Sequence, residues 1–345
     1  MRTATALASG LVCAAALTLL GLDEPQGYRV PVPEAGTWLI TFGIASAPGP
    51  FALVAAGAAG TVRQEVEAGR IKRAAILVPV AAGPSTVTVT VESVTEAPVI
   101  TSVTPALARR ETGPPDLVFA DDFDGPVLDT AKWVTETGRD GWGNNELQNY
   151  TSNPANVSVG TGLLEITAHR DGGDFTSARL NSRFSGTYGR VEARIRPTAG
   201  AGLLPAFWML GADAGSRRWP GCGEIDIMES LGGNEPYTVH ATIHGPDAGD
   251  QPWDRSTSHT GTRVLADDFH TYALDWWPGL IQMSIDGKVY ASYAPEDLAA
   301  GEQWVFDKPF YLLLNVAVGG DWPGAPSPSL PFPQTMRVDS VRWWQ

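Results

Sequence analysis

Polar and apolar positions along this chain follow a period of two far more than the 3.6-residue period of a helix. The run Thr86–Val94 (TVTVTVESV) alternates strictly over its first six residues, which predicts a half-buried strand. Upstream of it, Tyr28–Val32, Thr37–Phe42 and Ala75–Val80 predict further strands, and PEAG before Thr37 is a turn signal. After residue 116, short strand-like runs recur to the end. They are Leu163–His169, Gly189–Arg196, Ala206–Leu210, Glu224–Glu229, Val239–Ile243, His270–Trp276, Leu280–Ile285, Tyr311–Val318 and Met336–Trp344. Only Pro295–Ala300 suggests a helical turn or two. The expected class is all-β: a large sandwich or jelly roll preceded by a small β-sandwich.

Composition marks where the two parts meet. Of the twelve tryptophans, only Trp38 lies before residue 110. Residues 96–116 gather prolines and charges and read as a connection. The expected division is a hydrophobic leader at 1–26, a small sandwich at 27–105, a linker at 106–115 and a large domain at 116–345. Thr3 to Leu22 is uncharged and rich in Ala and Leu, as in a secretory signal peptide. An uncleaved membrane anchor and the first strand of a truncated domain are the alternatives. Export to the outside of the cell is the reading, with a monomer as the default.

Charge and cysteine narrow the chemistry. The net charge of −14 disfavours nucleic acid and anionic membranes as partners. Two cysteines, Cys13 and Cys222, exclude a disulfide framework and a four-cysteine metal site. His240 and His244 sit in VHATIH, which reads as a strand and not as a zinc-binding helix.

The densest acidic cluster in an apolar setting is GEIDIMES, from Gly223 to Ser230. On a strand, Glu224 and Asp226 share one face while Ile225 and Ile227 take the other. Acids so close cannot all ionise freely, so at least one pKa must rise. Strict alternation would turn Glu229 to the apolar face. One extra residue in a β-bulge restores it, and Met228 is the expected extra residue. Two carboxyl groups in different environments beside one cleft suit glycoside hydrolysis: one attacks the anomeric carbon, the other protonates the leaving oxygen. An exposed acidic strand would also read E-I-D-I. The neighbouring AFWML and RRWPGCG favour a sugar cleft, because pyranose faces are apolar and their rims hydroxylated.

GWGNNELQNY (141–150), YGRVEARIRP (188–197), WPGCGEIDIMES (219–230) and LNVAVGGDWPG (314–324) resemble, in order and spacing, bacterial laminarinase-like members of glycoside hydrolase family 16. The resemblance spans residues 116–345. It implies a β-jelly roll, a retaining mechanism and endo-cleavage of β-1,3-glucan without a catalytic cofactor. Carried over by position, Glu224 is the nucleophile, Asp226 the assisting acid and Glu229 the general acid and base. Asn145, Trp208, Trp219, His244 and Trp322 are implied to meet substrate. Arg179 and Arg183, four apart, share a strand face, and either could reach the cleft. The resemblance also implies a structural calcium at Asp122, the backbone of Gly162 and Asp339, where oxygen ligands suit a hard cation. Mixed-linkage β-glucan or an algal galactan are alternative substrates, and a non-catalytic β-glucan-binding protein is the alternative class.

The words YRVPVPEAGTWLITF and AAGPSTVTVTV resemble galactose-binding-like carbohydrate-binding modules. They leave open whether residues 27–105 bind sugar or act as a spacer.

Overall fold

The computed structural model describes residues 26–345 apart from 58–59, 70, 82, 94–95 and 110–114. The leader expected at 1–26 lies outside the described residues up to 25, and Gln26 opens the first strand. No helix among the described residues is long and apolar enough to cross a membrane. The chain falls into two compact units that divide between Gly113 and Pro114.

The first unit has two antiparallel layers. Gln26–Val32, Ser85–Ser93, Phe51–Gly57 and Gly60–Val66 pair in that order, and Gly36–Ser46 lies between Arg73–Val80 and Val99–Arg109. Alternate positions fill the core, among them Val30, Val32, Ile40, Leu53, Ile76, Val78, Val87 and Val89. The expected connection proves partly wrong. Val99–Arg109 is an eleven-residue strand, so the linker drawn at 106–115 starts four residues too early. Its proline explains the misreading. Pro105 opposes Ile40 on an edge strand, where a missing N–H is tolerated.

The second unit is a sandwich of two antiparallel sheets around a single core. One sheet runs Pro252–Thr260, Thr238–Pro246, Glu224–Glu229, Leu203–Gly211, Phe310–Val318, Arg179–Gly186 and Trp133–Glu136. The other contains Leu280–Ile285, His270–Trp277, Gly189–Arg196, Gln334–Trp344 and Leu163–Asp171 as neighbours. Phe207, Met209, Ile225, Leu312 and Leu314 of the first sheet join Val191, Ile195, Leu274, Met283 and Trp343 of the second in one buried cluster. Burial of such side chains, at about 25 cal/mol per Å² of apolar surface, drives the layers together. Among the described residues, helix is confined to single 3₁₀ turns, such as Pro295–Asp297 within the expected turn at Pro295–Ala300. The remaining face of the first sheet is free to carry chemistry.

Candidate active site

Strand register assembles the site. Residues directly opposite on neighbouring strands share a face. One row across the sheet reads His240, Glu229, Ala206, Asn315, Arg179, Glu136. The next reads Ser256, Thr242, Asp226, Trp208, Leu313, Asn181. In a third, His244 opposes Glu224. Three carboxyl groups on one strand therefore sit against residues that are distant in sequence.

The bulge that lines them up lies between Asp226 and Glu229. Phe207 pairs with Met228 and Trp208 with Asp226, which leaves Ile227, not Met228, without a partner on that side. Ile227 and Met228 are both fully buried. Two consecutive apolar side chains enter the core, and Glu229 returns to the polar face. Gly223 precedes the strand with φ +73°, and a Cβ there would lie 2.9 Å from Val305 Cγ2 and 3.1 Å from Phe310 Cζ. Glycine alone fits this close approach.

The three acids differ in surroundings. Asp226 is 2% exposed, and its Oδ2 lies 3.1 Å from His244 Nε2. Burial, and then the charge of Asp226, push Glu224 up to about 8, while His244 and Arg179 favour its charged form. Burial pushes Asp226 up to about 7, against a hydrogen bond with Glu224 that lowers it. Glu229 is raised well above the usual carboxylate range by burial and by the charges of Asp226 and Glu224, with only His244 opposing. Glu224 is the acid on which both His244 and Arg179 act to favour the ionised form.

A polar scaffold supports the row. Arg179 is ion-paired with Glu136, and its guanidinium lies over the rings of Trp142 at 4.8 Å and Trp208 at 4.6 Å. Trp208 Nε1 donates to Asn315 Oδ1 at 2.7 Å, and Asn315 Nδ2 donates to the Tyr150 hydroxyl at 3.0 Å. Glu136, Asn315 and Tyr150 escaped the sequence reading. Asn315 and Tyr150 lie within LNVAVGGDWPG and GWGNNELQNY and Glu136 lies outside every motif, and only the tertiary structure sets all three against Trp208 and Arg179.

The other candidates fall into place unequally. Trp219 is 48% exposed, with its ring centroid 6.1 Å from that of His244. Trp322 is 46% exposed and meets the His240 ring edge to face at 4.9 Å. Asn145 Nδ2 donates to both carboxylate oxygens of Asp321, at 3.0 and 3.1 Å, and so ties its loop to the one carrying Trp322. Arg183 does not join the site. A register shift between Asn181 and Ser185 breaks the expected four-residue spacing, and Arg183 Nε donates to the carbonyl of Thr130 at 2.8 Å. Asp122 is ion-paired with Arg342, and Asp339 lies 3.5 Å from Arg194. Gly162 lies beside Asp124, which lines a surface hollow together with Asp122.

A β-sandwich with paired acids on one bulged strand and exposed indoles nearby defines a carbohydrate-cleaving hydrolase. Residues 144–339 match glycosyl hydrolases family 16. The beta-glucanase of Rhodothermus marinus is 41% identical over 242 residues, covering 66% of this chain and 84% of that protein. Glucan endo-1,3-beta-glucosidase A1 of Niallia circulans is 37% identical over 263 residues, covering 66% of this chain but only 37% of that longer protein. The X-ray structure of endo-beta-1,3-glucanase from Pyrococcus furiosus superposes with a TM-score of 0.59 at 41% identity, over 66% of this chain and 92% of that one. The chain belongs to glycosyl hydrolases family 16.

Proposed function

We propose that this glycoside hydrolase is a retaining endo-β-1,3-glucanase of the laminarinase kind. The observation that carries the catalytic reading is the bulge at Ile227, which puts Glu229 on the face of Glu224 and Asp226. The names of the relatives support the substrate. Glu224 attacks the anomeric carbon while Glu229 gives its proton to the departing glycosidic oxygen. The covalent glycosyl–enzyme is then opened by a water that returns its proton to Glu229, and Glu224 leaves as a carboxylate. Asp226, hydrogen-bonded to Glu224 and facing His244, orients the nucleophile, while His244 and Arg179 favour its charged form.

Substrate contacts are proposed for Trp208, Trp219, His244 and Trp322, with Arg179 acting through Trp208 and the field at Glu224. Asn145 acts by holding the Trp322 loop. A monomer is proposed, exported because its substrate is a polymer. A structural calcium is proposed at Asp122, the backbone of Gly162 and Asp339, next to the hollow that Asp122 lines. A rise in Tm when calcium is added to chelated protein tests it, and an unchanged Tm removes it.

Product analysis on laminarin, mixed-linkage β-glucan, agarose and carrageenan tests the main reading. Short β-1,3-linked oligosaccharides from laminarin are expected. Cleavage of a galactan alone would move the specificity, and binding without products would favour a lectin-like role.

A further inference from the structure

The Trp219 side of the site rests on a loop whose anchor lies far away in sequence. Residues 212–223 leave one strand of the acidic sheet at Gly211 and re-enter it at Glu224. The base of the loop is closed by Gly211 N–H donating to the Gly223 carbonyl at 3.3 Å and Ala212 N–H donating to the Pro309 carbonyl at 2.8 Å. A tight turn follows, with the Ser216 and Arg217 amides donating to the Asp213 carbonyl at 2.9 and 2.7 Å. From the 305–310 segment, Lys308 Nζ reaches both carboxylate oxygens of Asp213 at 2.7 Å and the Gly221 carbonyl at 3.4 Å. One ammonium therefore ties the two arms of the loop together on either side of exposed Trp219. The stem of Lys308 is shielded, its side chain being 23% exposed.

We propose that Lys308, through Asp213 and Gly221, is the positioning residue for the Trp219 platform and thereby sets substrate affinity on that side of the scissile bond. The inference rests on the reading of Trp219 as a sugar platform. A flat indole stacks on a sugar ring only when its plane is fixed, and an untethered loop loses affinity to ordering entropy on binding. The contact is electrostatic and partly solvated, so salt weakens it. This has a consequence that a neutral polymer cannot produce by itself: affinity for laminarin falls as ionic strength rises. Turnover stays constant, because Lys308 touches neither the acids nor the indole.

The test measures kcat and KM on laminarin for the wild type, Lys308→Met, Lys308→Arg, Asp213→Asn and Trp219→Ala, each at low and high salt. Lys308→Met and Asp213→Asn should raise KM about three- to tenfold with kcat within a factor of two. They should also abolish the salt dependence of KM seen in the wild type, while Lys308→Arg restores most of the affinity. Equal salt dependence in Lys308→Met and the wild type, or a loss confined to kcat, overturns the proposal. If Trp219→Ala leaves KM unchanged, the platform reading falls first and takes the proposal with it. If Trp219→Ala raises KM and Lys308→Met does not, only the positioning role fails. Matching far-UV circular dichroism and Tm across the set separate these outcomes from misfolding.

Discussion

The two units of the chain use aromatic side chains in opposite ways. In the first, all four aromatics, Tyr28, Trp38, Phe42 and Phe51, are buried, and Tyr28 packs edge to face on Phe42 at 5.5 Å. In the second, Trp133, Trp276 and Trp343 fill the core, yet Trp219 and Trp322 stand half exposed near the two ends of the acidic strand. An exposed indole offers a flat apolar surface to a ligand ring. The same residue type is therefore all packing in one unit and partly solvent-facing in the other. The sugar contacts proposed above draw on the exposed indoles of the second unit.

The sharpest way to test that contrast is to disable chemistry without touching the indoles. Glu224→Gln is expected to lower kcat about a thousandfold or more while laminarin affinity remains. Unchanged turnover would remove Glu224 from its role. Glu229→Ala should lose about a hundredfold or more on laminarin, and far less on aryl glucosides whose leaving groups need no proton. Equal losses on both substrates would argue against general acid catalysis.

Stability offers an independent reading of the same acids. The Glu224 carboxyl is raised from its ordinary value to about 8, so the folded state holds a proton that the unfolded chain releases near pH 4.5. The stability gained from that proton is present at low pH and is lost as pH rises through 4.5 to 8. Glu224→Gln removes the cost of ionising a buried acid. It should stabilise the protein by roughly 1–3 kcal/mol at pH 8 and by little at pH 4. A Tm difference that does not grow with pH would contradict this.

Smaller effects probe the indoles themselves. Trp322→Ala should raise KM about tenfold with little change in kcat, in keeping with the loss of one stacked ring. Removing residues 1–113 should change kcat/KM on soluble laminarin by less than about twofold, since the aromatics of that unit are committed to its core. A large loss of glucan binding on truncation would break the contrast between the units and revive the carbohydrate-module reading.

Much of the fold was readable because alternating apolar residues must bury one face. Gly189–Arg196 and Leu280–Ile285 appear with the expected bounds. Pro252–Thr260 was missed because it is an edge strand made of polar residues, with only Trp253 fully inward. Val99–Arg109 was hidden by its proline. The acids of the site were legible because E-I-D-I in an apolar setting is unusual. Arg179 and Arg183 were indistinguishable, since a register shift in the neighbouring pairing decides which of them reaches the row.

What the sequence determined by itself was the alternation, and with it the all-β class, the shared face of Glu224 and Asp226, and the need for one extra residue before Glu229. These follow from local backbone geometry, which has a fixed period. What only the tertiary structure decided was which residue bulges, which arginine joins the row of Glu229, and that Lys308 pairs with Asp213 in the loop of Trp219. Those depend on the register between strands far apart in sequence. Register is set by how two whole sheets bury their apolar faces, not by any single run of residues.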